Sequence, residues 1–207
     1  MSSLQQLAFY ALTVVYAAQL RIMSLEYKNR CLLLDYKKSQ MIGSAVMVTL
    51  SIAEQDGRIN RLLKTALKKK GYRVSTKENT DADYLLLSGA VKNCDLLLLH
   101  HACPSPQPDY MTIINTDEEN LTPNSLHTLT ISYGLNPLAT VTASSIKHEN
   151  NRISFSCCLQ RAIVTLKGSI LEPQEFPVKL QDADIGTGLA FAALGLVLSF
   201  SQEDYLF

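Results

Sequence analysis

The side chains best placed by type for metal or nucleophile chemistry are His100 and His101, two imidazoles directly after Asp95–Leu99, with the Cys103 thiol two residues further on. Successive strand residues alternate faces, so the histidines are expected to point apart and not to share one ion, and no HExxH motif accompanies them. No metal site is expected. Phosphate chemistry needs a glycine-rich loop whose backbone N–H groups and lysine hold the phosphates, yet neither Gly-Lys-Ser nor Gly-Lys-Thr occurs in the 207 residues. Asn115, Asp117 and Glu118 follow the apolar run Met111–Ile114, where such side chains commonly satisfy free N–H groups of turns and helix starts. No catalytic residue is expected, and no self-sufficient catalysis.

The frame that must position these groups alternates strand and helix signals. Ala45 to Ala53 is a β-branched apolar run. Gly57 to Lys70 sets Ile59, Leu62, Leu63, Ala66 and Leu67 at helical spacing, with Lys68, Lys69 and Lys70 at the end where cations suit the dipole, and Gly71 closes the helix. Tyr72 to Thr76 reads as a short strand, Ala82 to Val91 fits strand or helix, and Asp95 to Leu99 reads as a buried strand running into the Pro104–Pro108 turn. Farther on, Arg152 to Leu159 alternates Ile153, Phe155, Cys157 and Leu159 against Ser154, Ser156 and Cys158, the pattern of a half-buried strand. Ile163 to Leu166 and Phe176 to Leu180 are expected to pair beside it, and Asp184 to cap an apolar helix reaching Phe200. The implied fold class is α/β: a mainly parallel three-layer sheet with helices on both faces and an antiparallel extension near the C-terminus.

Composition narrows the function classes. With 19 basic and 19 acidic side chains the formal charge is zero, which gives no field for nucleic acid or an anionic membrane. Five cysteines without CxxC spacing suit a reducing cytoplasm. Residues 1–40 read as a helical N-terminal extension before a single α/β domain over 41–207. The apolar run Leu7–Ala18 has 12 residues, short of the roughly 20 that cross a bilayer, so membrane association through residues 4–25 is disfavoured.

The stretch from Met111 to Phe200 resembles the second half of the ATP-binding central domain of Mur ligases. Met111-Thr-Ile-Ile-Asn-Thr-Asp-Glu118 is similar to that family's strand followed by Asn-x-Asp-Asp, Thr130–Asn136 to its strand ending in Tyr/Phe-Gly, and Ala139–Ile146 to its Ala-Asp-Val-x-Ala-x-x-Ile continuation. The resemblance implies ATP as cofactor, with Asn115 and Glu118 near the adenine and Asp117 beside them. Two departures stand against it: the family's phosphate loop is missing, and its His-Asn-x-Tyr-Asn segment becomes Ala183-Asp-Ile-Gly-Thr187.

Residues 45–101 also resemble response-regulator receiver domains, through Ser51–Asp56, Arg58–Leu63, Lys70–Val74 and Cys94–His101. That resemblance makes Glu54 and Asp56 the acidic pair and puts His100 or His101 where an aspartate accepts phosphate, a substitution that removes aspartyl-phosphate chemistry. Glu54, Asp56 and His100 then form an alternative pocket at the strand ends. Three function classes follow: a non-catalytic Mur-like binding or assembly domain for a nucleotide or cell-wall precursor; a ligase component whose phosphate loop comes from a partner; and a receiver-like interaction module. Each admits a protein partner or homo-oligomer.

Overall fold

The computed structural model describes residues 47–77, 81–89, 94–101, 110–118 and 129–206. The expected N-terminal helix, Cys31, Cys103 and the Pro104–Pro108 turn lie outside them.

Strand β1 (Val48–Ala53) leads into helix α1 (Arg58–Lys69), then β2 (Val74–Ser75), β3 (Tyr84–Ser88), β4 (Leu96–Leu99), β5 (Met111–Asn115) and β6 (Leu129–Tyr133). Next come β7 (Val141–Glu149), β8 (Arg152–Leu159), β9 (Ile163–Val164), β10 (Ile170–Leu171), β11 (Gln174–Gln181), helix α2 (Ile185–Val197) and a 3-10 turn, Gln202–Tyr205. Nine strands form one sheet in the order β11-β8-β7-β6-β5-β4-β1-β3-β2. Pairing is parallel from β2 through β7 and antiparallel for β7–β8 and β8–β11. This is the mainly parallel α/β sheet with an antiparallel C-terminal extension that the sequence pattern implies.

One pairing expectation fails. Ile163 and Val164 pair with Ile170 and Leu171 in a separate two-stranded sheet, and β11 takes the place beside β8. A tight turn explains it: the Thr165 hydroxyl and backbone close onto Ser169, which returns the chain locally before it reaches the main sheet.

Burial follows periodicity. In α1 the buried side chains are Ile59, Leu63, Ala66 and Leu67, one stripe of an amphipathic helix. Helix α2 is buried at every position from Thr187 to Val197, as its all-round apolar sequence requires. It packs on β5–β8 and β11 and also touches α1. The inward side chains of β8 (Ile153, Phe155, Cys157, Leu159) and of β11 (Phe176, Val178, Leu180) supply its bed. The C-terminal turn then seals one end: Tyr205 lies 4.7 Å from Phe176 and 5.9 Å from Phe191, while Asp204 holds Lys70 at 2.6 Å.

The topology has a switch point between β1 and β4. From β1 the chain goes to β2 and β3 on one side, then crosses back to β4 on the other, so the carboxyl ends of β1 and β4 diverge at a topological switch point. Open α/β sheets place their ligands there.

Candidate functional site

Glu54 follows β1 and His100 follows β4, so these two flank the switch point. Glu54 does not face solvent as a free acid. Its two carboxylate oxygens accept the backbone N–H groups of Ile59 at 2.7 Å and Asn60 at 2.8 Å. Those amides belong to the first turn of α1, whose N–H groups have no partner within the helix and would otherwise attract an anion. Asp56 accepts from the Arg58 N–H at 3.0 Å and pairs with its guanidinium at 2.7 Å.

Arg58 also reaches Asp184 at 3.3 Å. Asp184 caps α2 by accepting the Thr187 N–H at 2.7 Å, as its position in the sequence implies. Partial burial pushes the Asp184 carboxyl up, but the Thr187 donors, Arg58 and His100 together outweigh it and hold the pKa below the usual value. Two helix starts thus meet at one crevice, each closed by a carboxylate of the chain and joined through Arg58.

His100 is pinned on its backbone: its N–H donates to the Ala53 carbonyl, and its own carbonyl accepts from Asn115 Nδ2 at 3.2 Å. Its ring Nδ1 lies 2.6 Å from the Tyr133 hydroxyl. Burial, then the neighbouring His101, lower the His100 pKa, and burial raises that of Tyr133 well above its ordinary value. His101 Nδ1 meets Glu118 Oε1 at 3.0 Å.

The expectation that the two imidazoles point apart is corrected. Their ring centroids lie 4.5 Å apart, edge to face. Strand β4 ends at Leu99, so the alternation of strand faces no longer governs either histidine. Among the described residues no group of three or more His, Cys, Asp or Glu side chains is placed to hold a metal ion.

The other expected group organises the neighbouring strand end. Asn115 is 7% exposed; its Oδ1 accepts the Asp117 N–H at 3.0 Å while its Nδ2 serves His100. Asp117 reaches across to β6 and accepts the N–H groups of Leu135 at 2.7 Å and Asn136 at 3.1 Å. Gly134 makes that approach feasible: it is buried at φ +152°, and a Cβ there would stand 2.6 Å from Asp117 Oδ1. Glu54 and Asp56 thus lie near enough to His100 for their charges to act on it, while Asn115, Asp117 and Glu118 are tied into the strand-end turns and to His101.

Sequence reasoning missed Tyr133 as the partner of His100, Arg58 as the link between helix starts, and a cleft of about 660 Å³ between α1 and the β7–β8 hairpin, lined by Arg58, Arg61, Arg152, Glu149, Asp182 and Asp184 among others. Asn150 and Asn151 at positive φ mark that hairpin and are its only signal in the sequence.

No sequence-family profile matches the chain, and no curated protein matches it by sequence. Solved structures do match. MurF from Acinetobacter baumannii superposes with a TM-score of 0.56 at 12% identity, over 77% of this chain and 45% of that one. The UDP-N-acetylmuramoylalanyl-D-glutamyl-2,6-diaminopimelate–D-alanyl-D-alanyl ligase of the same organism gives 0.57 at 11% identity, over 77% and 45%. The fold is Mur-ligase-like. A UDP-N-acetylmuramoyl-L-alanyl-D-glutamate–2,6-diaminopimelate ligase adds a third match, 0.51 at 10% identity, over 79% and 45%. This chain spans under half the length of these Mur ligases, and at such identities the likeness concerns the fold alone. At the start of α1, Glu54 takes up the free Ile59 and Asn60 N–H groups. No helix among the described residues is long and apolar enough to cross a membrane.

Proposed function

We propose that this is a Mur-like binding or assembly domain of the cytoplasm that does not use ATP by itself. The observation that carries this reading is the Glu54 carboxylate on the Ile59 and Asn60 amides. A triphosphate seated on α1 has to displace a charge of its own sign from two short hydrogen bonds, and the sequence supplies no loop lysine to offset that. The residues present do not fit ATP: besides the filled phosphate seat, both polar atoms of the Asn115 amide are engaged, and Glu118 is paired with His101. The ligand or partner is then a muramoyl-peptide precursor or another protein, met by the crevice and by the charged cleft beside it. The free thiols of Cys157 and Cys158 suit a reducing compartment.

Calorimetric titration of the chain with ATP, with and without magnesium, tests this. No saturable heat is expected in either case. Magnesium-dependent ATP binding that Asn115→Ala abolishes would overturn the reading and restore Asn115, Asp117 and Glu118 as an adenine site. A titration with a UDP-N-acetylmuramoyl peptide then separates the precursor from the protein partner.

A further inference from the structure

The Tyr133 hydroxyl has one hydrogen-bond partner among the described residues, His100 Nδ1. Tyr133 is fully buried, and burial keeps the phenol protonated, so its O–H must donate. Nδ1 must therefore accept, which fixes neutral His100 with its proton on Nε2. A proton added at Nδ1 reverses the bond, since Nδ1–H then donates to the phenol oxygen, and leaves the buried Tyr133 O–H without an acceptor among the described residues.

What moves in response is set by the packing. The backbone of His100 is held on both sides by Ala53 and Asn115, so only the ring yields. The ring rests on the first turn of α2: a Cβ added at Gly186 would lie 3.5 Å from its Cε1. The charged and titratable groups around it are Glu54 and Asp56 after β1, Arg58 on α1, His101 beside it, Asp117 and Glu118 after β5, Tyr133 on β6 and Asp184 at the start of α2. Burial, then His101, oppose the protonated ring and prevail over Asp184, Glu54 and Asp56, which favour it.

We propose that the Tyr133–His100 hydrogen bond is a pH-operated latch that holds the start of α2 against the carboxyl edge of the sheet and releases it on acidification, opening the switch-point crevice. The latch is independent of which ligand the crevice takes. Because the folded His100 resists protonation relative to the unfolded chain, the closed state is fully favoured above the ordinary histidine value of 6.5 and loses stability as the pH falls below it.

The test is native-state hydrogen exchange at the Thr187–Leu189 amides, corrected for intrinsic rates, at about pH 7.5 and about pH 5.5, on either side of the ordinary histidine value. In the wild type, protection is expected to fall at least about fivefold on acidification, the equivalent of one orphaned buried hydroxyl. In His100→Gln, whose amide oxygen accepts from Tyr133 at any pH, protection should not change. The same loss in His100→Gln, or no loss in the wild type, overturns the proposal. Should His100→Gln fail to fold, the His100 Cε1–H resonance is titrated in wild type and Tyr133→Phe: removing the hydroxyl that donates to the neutral ring should raise the midpoint, and an unmoved midpoint overturns the latch.

Discussion

Replacing Glu54 by alanine removes the only acceptor that the described residues give to the Ile59 and Asn60 amides. Loss of a capping side chain costs about 0.5–2 kcal/mol. Loss of a negative charge at a helix start costs about 0.3–1 kcal/mol more. Ile59 is fully buried and Glu54 half-buried, which limits replacement by water, so the expected loss is about 2 kcal/mol. Glu54→Gln keeps one amide oxygen and loses the charge, and should cost about 1 kcal/mol. The chain has no tryptophan, so urea unfolding followed by far-UV circular dichroism is the assay, with the slope held common to the three proteins. For a domain of this size the alanine variant should also melt about 4–8 °C lower. A loss below about 0.5 kcal/mol, the level of an ordinary surface substitution, or a glutamine variant weaker than alanine, would refute the capping role.

Three further outcomes follow from packing and charge. Gly134→Ala should cost about 2 kcal/mol or more, since the new Cβ meets Asp117 Oδ1 at 2.6 Å in a backbone region that L residues avoid; exchange at Leu135 and Asn136 should accelerate with it. Gly195→Ala should be destabilising in thermal melts despite better helix propensity, because its Cβ would stand 2.6 Å from the Tyr205 ring and overpacking of about 1–3 kcal/mol exceeds a propensity gain of about 1. Tyr205→Leu in the same background should relieve only part of it, because Phe200 Cδ2 still stands 2.8 Å from the new Cβ, and Tyr205→Phe should relieve less, since a Tyr205 ring carbon is itself in the way. Burial raises the Asp204 carboxyl, but Lys70 and Ser201 outweigh it and lower its pKa, so its contribution is present above the ordinary value of 3.8 and lost as the pH falls below it; melting temperatures of wild type and Asp204→Asn should converge in acid.

The parts of the fold legible in the sequence are those where one physical rule dominates. Alternation along Arg152–Leu159 marks β8 with its true ends, the helical spacing in 58–69 marks α1, and the apolar run after Asp184 marks a capped, buried α2. The pairing of Ile163 and Val164 is not legible, since the Thr165–Ser169 turn competes with the sheet through hydrogen bonds that hydropathy does not register. Ala82–Val91 is ambiguous because a largely buried run has no period to read, and the structure resolves β3 as Tyr84–Ser88. At the site the residue types are visible in the sequence but their partners are not. Glu54 and Asp56 sit where an acid can serve a ligand or a helix start, and only the fold shows that Glu54 serves α1. Tyr133 is 33 residues from His100 in sequence, so no local pattern joins them.

The most direct test of the proposal that Glu54 keeps phosphate off the start of α1 is to follow the Ile59 and Asn60 backbone amides by nuclear magnetic resonance while magnesium ATP is added to the wild-type chain. With Glu54 in place on both amides, their resonances should stay where they are through millimolar nucleotide. Saturable shifts at these two amides would mean that phosphate displaces Glu54 from the start of α1, and a domain that does not use ATP by itself would be contradicted at its centre.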